Sequence, residues 1–138
     1  MSVSAGRLPT VTAPDDVAAA DAAWAAQLGP ALTEAAAARL LGRDTNQVAR
    51  APELLRLQQR ETAERVYPLF QFTQDGQVPG VPAMLTLLSP FFVPLSIASG
   101  LTSRNRDMGH GRPIDVLRAG DADRVLLLAR HLAADAAG

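Results

Sequence analysis

Apolar positions along this chain fall in short blocks at helical spacing, separated by glycine and proline, and they alternate only briefly. The run DDVAAADAAWAAQL predicts a helix from Asp15 to about Leu28, with Trp24 on its buried face and Gly29-Pro30 as its stop. A second helix is predicted from Thr33 to Leu41, with Thr33 as N-cap and Gly42 at its end. A third, about Thr45 to Arg50, ends before Pro52. Residues 1–14 lack periodicity and are expected to form a loose arm.

The stretch ELLRLQQRETAERVYP leaves two readings open, a helix or a hairpin turning near Arg60–Thr62. QFTQDGQVPGVP, residues 71–82, reads as a turn-rich connector punctuated by Asp75-Gly76 and Pro79-Gly80, and marks a module boundary. AMLTLL and PFFVPLSIAS are strongly apolar and are expected to form the core of the second module. Residues 99–113 read as a polar loop rich in Gly and Arg. Pro113 suits the first position of a short helix through Arg118, closed by Gly120, and Asp121 suits the N-cap of a final helix. Val125, Leu126, Leu128, Ala129 and Leu132 give that helix an apolar face.

One spacing carries more than secondary structure. Where two helices meet at a sharp turn, the contact needs a small residue, the turn favours glycine, and the second helix needs an apolar residue facing back. Ala38, Gly42, Val48 and Ala51 meet those needs at helix-turn-helix spacing. If that module binds DNA, its second helix presents Thr45, Asn46, Gln47 and Arg50, with Arg43 just before it. Asn and Gln pair bidentately with adenine, and Arg with guanine. From Arg39 to Arg65 six arginines face four acidic residues, a small local excess of positive charge. A protein so weakly charged is expected to read paired half-sites as a dimer.

Composition narrows the chemistry. The chain of 138 residues is 48% hydrophobic but only 4% aromatic, so alanine supplies much of its interior and association is expected to add stability. It contains no cysteine, and all 13 of its basic residues are arginine. Disulfides, thiolate nucleophiles and lysine-based catalysis are therefore excluded. With no signal-peptide pattern and no apolar run of membrane-spanning length, a cytoplasmic protein without membrane contact is expected.

Three further segments resemble a known family: YPLFQF at Tyr67–Phe72, DGQVPGVPAML at Asp75–Leu85, and GRPIDVLRAGDADRVLLLA at Gly111–Ala129. In that order they resemble bacterial antitoxins of the Xre/MbcA/ParS type, over about residues 33–132. The resemblance implies a mainly α fold with an N-terminal helix-turn-helix module, a C-terminal helical toxin-binding module and a short β-hairpin between them; with the predicted helices this sets the modules at 15–72 and 73–138. It implies a RES-domain toxin, which degrades NAD, as cognate partner. It also implies promoter DNA as a second partner and a homo-oligomer within the toxin–antitoxin complex. Two surfaces are candidates for blocking the toxin. One is the 99–113 loop with Arg104, Arg106, His110 and Arg112; the other is the tail from His131, with Asp135 and the carboxylate of Gly138. Arg118 and Arg130 flank them.

Catalytic patterns do not assemble. The two histidines, His110 and His131, have no fixed spacing to acidic partners, so no metal site is expected. Asp121-Ala122-Asp123 is accounted for by helix capping. Ser99, Ser103, His110 and Asp115 are near in sequence without a nucleophile-elbow pattern. Gly100, Gly109 and Gly111 lack the strand-then-helix context of a nucleotide loop. The expectation is a binding protein without enzymatic activity or cofactor, either an antitoxin or a free-standing dimeric helix-turn-helix regulator.

Overall fold

The computed structural model describes residues 8–9, 17–18, 26–59 and 62–138, and the fold is mainly α with a small antiparallel β component. The arm expected at 1–14 lies outside the described residues except for Leu8 and Pro9. So does most of the expected helix at 15–28, of which residues 26–28 are helical; its start is not, since Val17 bridges Leu32 antiparallel and Ala18 N donates to the Ala31 carbonyl at 2.8 Å, which draws the chain alongside β1.

Strand β1 is Ala31–Thr33, followed at once by α1, Glu34–Leu41. Thr33 Oγ1 accepts a hydrogen bond from Ala36 N, and Gly42 closes the helix with φ 66°, a left-handed turn that glycine adopts without strain. Helix α2 is Thr45–Arg50. Asp44 and Gln47 cap it reciprocally: the Asp44 carboxylate accepts from Gln47 N, and the Gln47 side-chain oxygen accepts from Asp44 N. The ambiguous stretch is a hairpin, with β2 at Leu57–Gln58 and β3 at Arg65–Pro68. Strand β3 lies at the centre of a three-stranded antiparallel sheet of order β1-β3-β2, registered by Leu32↔Tyr67 and Leu57↔Val66.

Alternation along β3 explains how the protein is layered. Tyr67 points into a smaller core with Leu32, Ala37, Ala38, Val48 and Phe72. Val66 points the other way, into a larger core with Ala31 and Leu57 and with Val81, Leu85, Leu101, Ile114, Leu117 and Val125 from the second half of the chain. One sheet thus divides two cores. Each of Val66 and Tyr67 is fully buried on its own face.

Residues 71–82 are more ordered than a connector, because Phe72–Thr73 (β4) and Gly76–Gln77 (β5) pair antiparallel around the Asp75-Gly76 turn. The helices that follow are α3 at Val81–Leu88, α4 at Pro94–Thr102, α5 at Pro113–Arg118 and α6 at Ala122–Ala137. Three begin with proline in the first turn, where its missing N–H costs nothing. Three expectations need correction. The 99–113 segment opens inside α4, so the true loop is 103–112. PFFVPLSIAS is only partly core: Phe91, Val93 and Leu95 are exposed, while Ile97 and Ala98 are buried. Asp121 occupies the N-cap position of α6, but its side chain makes no capping hydrogen bond there.

Candidate nucleic-acid interface

Helix α2 is held so that one face packs and the other faces out. Val48 is fully buried against α1 and Ala51 closes the same face, while Thr45, Asn46, Gln47 and Arg50 are exposed. Ala38 provides the close approach between the helices, as its size requires. The five residues expected to contact DNA differ in how free they are. Thr45, Asn46 and Arg50 project from the exposed face. Gln47 spends its side-chain oxygen on the cap. Arg43 pairs with Glu53 at 2.7 Å, and that hydrogen bond holds the Glu53 carboxyl below its ordinary range.

Arg56, which the sequence reading passed over, ties this helix to the hairpin. Its guanidinium donates to the carbonyls of Val48 (2.6 Å) and Ala51 (3.1 Å) at the C-terminal end of α2. Its Nε donates to the Tyr67 hydroxyl at 3.0 Å, and the guanidinium also lies over the Tyr67 ring, 5.4 Å from its centroid. The Tyr67 hydroxyl in turn donates to Glu34 Oε1 at 2.7 Å, and Arg65 grips both oxygens of the same carboxylate at 2.8 and 3.0 Å. The Arg65 hydrogen bond holds Glu34 below the usual carboxylate range, whereas burial pushes the Tyr67 hydroxyl up. The start of α1, the end of α2 and the hairpin strand β3 are therefore locked together by one polar chain.

The candidate partner-binding residues differ in how free they are. Arg104, Arg106 and His110 are exposed on the 103–112 loop, which Arg124 Nη2 ties to α6 through the Asp107 carbonyl at 3.1 Å. Arg112 is engaged by Asp115 at 2.8 Å, within its own helix start. Arg118 is half-buried and structural, donating to the Phe70 and Phe72 carbonyls, and desolvation pulls its pKa down. Arg130, His131, Asp135 and Gly138 are exposed on the far half of α6. From Arg124 to His131 the helix rises about 10 Å, and one groove is lined by Asn105 of the loop and by Leu132. Among the described residues no group of acidic and histidine side chains is placed to hold a metal. Nor is any described helix long and apolar enough to cross a membrane.

No family model and no curated protein matches this chain. A solved structure does: an NMR structure of Rv2175c is 25% identical and superposes with a TM-score of 0.66, over 92% of each chain. The likeness therefore takes in α1, α2, the sheet and the C-terminal helices together.

Two residues that sequence reasoning missed explain why the elements hold their places. Gln71 is completely buried between the two halves of the chain, and Arg56 anchors α2. A lone glutamine inside the apolar string YPLFQF was the available signal for the first. Nothing local distinguishes Arg56 from its neighbours, because its partners, two carbonyls and the Tyr67 hydroxyl, lie 8, 5 and 11 positions away.

Proposed function

We propose that this protein is a DNA-reading regulator in which α2 enters the major groove and the β2–β3 hairpin lies against the flanking backbone as a wing. The observation that carries this reading is the Arg56 anchor. It couples the end of an outward-facing, doubly capped helix to a hairpin rising beside it, a winged helix-turn-helix arrangement. The exposed Thr45, Asn46 and Arg50 supply base-edge contacts, with Asn46 suited to adenine and Arg50 to guanine. Rigid attachment of a short helix matters because discrimination depends on side chains meeting base edges at hydrogen-bond distance. The test is selection of bound fragments from sheared genomic DNA by the purified full chain, followed by sequencing. Enrichment of a recurrent motif that an Arg50→Ala variant fails to enrich supports the reading. Failure to retain any fragment at low salt overturns it.

A second reading is favoured by the exposure of Arg130, His131 and Asp135 on the far half of α6 and of Arg104, Arg106 and His110 on the loop. On this reading the protein is an antitoxin whose tail covers the active-site entrance of a RES-domain toxin, and DNA binding serves autoregulation. A tagged pull-down from native cells tests it. A stoichiometric protein that consumes NAD once separated from this chain supports it, and recovery of DNA without a protein partner counts against it.

A further inference from the structure

On the outer face of α6, Arg124, Leu128, His131 and Asp135 follow one another at spacings of four, three and four residues. All but Leu128 are exposed, and Leu128 is half-buried. They form one stripe along the helix, charged or polar except for Leu128. On its flanks stand two large apolar side chains left open to solvent, Leu127 at 52% and Leu132 at 41% exposure. Beside Leu132 runs a groove of about 130 Å³ between α3, α4 and α6, lined by Met84, Leu88, Phe92, Leu128 and Leu132 among others. Its volume approaches that of engineered apolar cavities that admit a benzene ring, so it has room for one aliphatic side chain.

We infer that this face is a homodimer interface, in which α6 pairs antiparallel with α6 of a second copy. The charges on the helix choose both the occupant and the register. In the antiparallel alignment that sets position 124 opposite 135, Arg124 of each copy meets Asp135 of the other, and Leu128 meets His131. Moving the register by one turn either way loses both ion pairs. One shift leaves Arg124 opposite His131, and the other leaves Asp135 opposite Leu128. Two-fold symmetry then brings the two Leu127 side chains together on one flank. On the other flank, Leu132 of each copy reaches the groove beside Phe92 of the other. The Arg124 guanidinium already donates to the Asp107 carbonyl, which fixes its stem and leaves further donors for a carboxylate.

A helix of 16 residues is about 24 Å long, and one such pair buries less than the roughly 800 Å² per partner of a standard stable interface. The dimer is therefore concentration-dependent. Its formation does not rest on the DNA-binding reading, and the test uses no DNA.

Sedimentation equilibrium of the full chain is expected to show a reversible monomer–dimer equilibrium. Arg124→Glu and Asp135→Arg each place like charges opposite one another twice per dimer. Each variant alone should therefore dissociate at about tenfold higher concentration. Mixed in equal amounts, the two variants form a heterodimer in which both charge pairs are again complementary, and dimerisation should return to the wild-type range. This recovery also shows that both variants are folded. A wild-type chain that stays monomeric at every concentration overturns the inference. So does a dimer indifferent to both substitutions, or a mixture no better associated than its components.

Discussion

The side-chain amide of Gln71 bonds the backbone of Leu55 twice, accepting from its N–H at 2.8 Å and donating to its carbonyl at 2.7 Å. A side chain here does the work of a paired strand. It satisfies both polar groups of a residue buried where the smaller core gives way to the larger, 16 positions away in sequence. Replacing Gln71 with Met keeps much of its volume but strands a buried donor and a buried acceptor. Stability should fall by about 2–4 kcal/mol, read as an earlier urea midpoint with an unchanged slope.

Glu34 gives acid stability a defined origin. Its folded pKa is depressed, chiefly by the Arg65 hydrogen bond, so the ionised carboxylate favours the folded state. That contribution is fully present above the ordinary carboxylate range and is lost as pH falls through the lower folded value. Glu34→Gln should flatten this part of the acid limb in a series of melts between pH 6 and pH 3, with little change in slope above it. A wild-type-like acid limb in the variant would sink the assignment.

Tyr67→Phe removes the hydroxyl that donates to Glu34 and accepts from Arg56 while leaving the buried ring in place. The expected loss is about 1–3 kcal/mol. Because Arg56 also holds the end of α2, DNA affinity should fall at temperatures where the variant is still fully folded. Circular dichroism alongside a binding titration separates the two effects.

Arg50→Ala and Asn46→Ala should each weaken binding to a selected DNA site by about 1–3 kcal/mol, roughly 5- to 150-fold. Arg43→Ala should act less on sequence preference, since its guanidinium is already paired with Glu53. Titrations of selected and scrambled duplexes at fixed salt decide the matter. Equal losses on both duplexes would mean that Arg50 touches only phosphate.

Gly80 starts α3 at φ 97°, and a Cβ there meets Leu117 Cδ2 at 2.8 Å and Ala122 Cβ at 3.2 Å. Gly80→Ala therefore combines backbone strain with a clash and should cost about 2–4 kcal/mol. Gly120, at φ 93° with nothing near its missing Cβ, supplies the comparison. Gly120→Ala should cost only about 1–2 kcal/mol. Equal denaturation midpoints for the two variants would contradict the packing argument.

Short-range signals were the legible ones. Thr33, Gly42, Asp44 and Pro113 act within a turn of their own helix, so the bounds of α1, α2 and α5 could be read before any tertiary contact was known. The exposed residues of α2 followed from those bounds. What was hidden depends on distance in sequence. The β4–β5 pair has two residues per strand, too short for alternation to register. Phe91, Val93 and Leu95 look like core in an apolar run, but the first two lie in the turn between α3 and α4 and the third on the outer face of the first turn of α4. Arg118 looks like a surface cation, yet its carbonyl partners come from 46 and 48 positions earlier.

The sheet that parts the two cores has a consequence for inheritance. With Val66 and Tyr67 facing opposite ways from one strand, the smaller core is built wholly from residues 32–72, whereas the larger one joins Ala31, Leu57 and Val66 to the C-terminal helices. A crossover that joined α1, α2 and the sheet of this protein to the C-terminal helices of a distant relative would carry the Tyr67 face intact but would have to match the Val66 face of β3 anew. The sheet and the C-terminal helices are thus bound to travel through evolution as a pair, and changes on the Val66 side of the strand invite compensation in the helices packed on it.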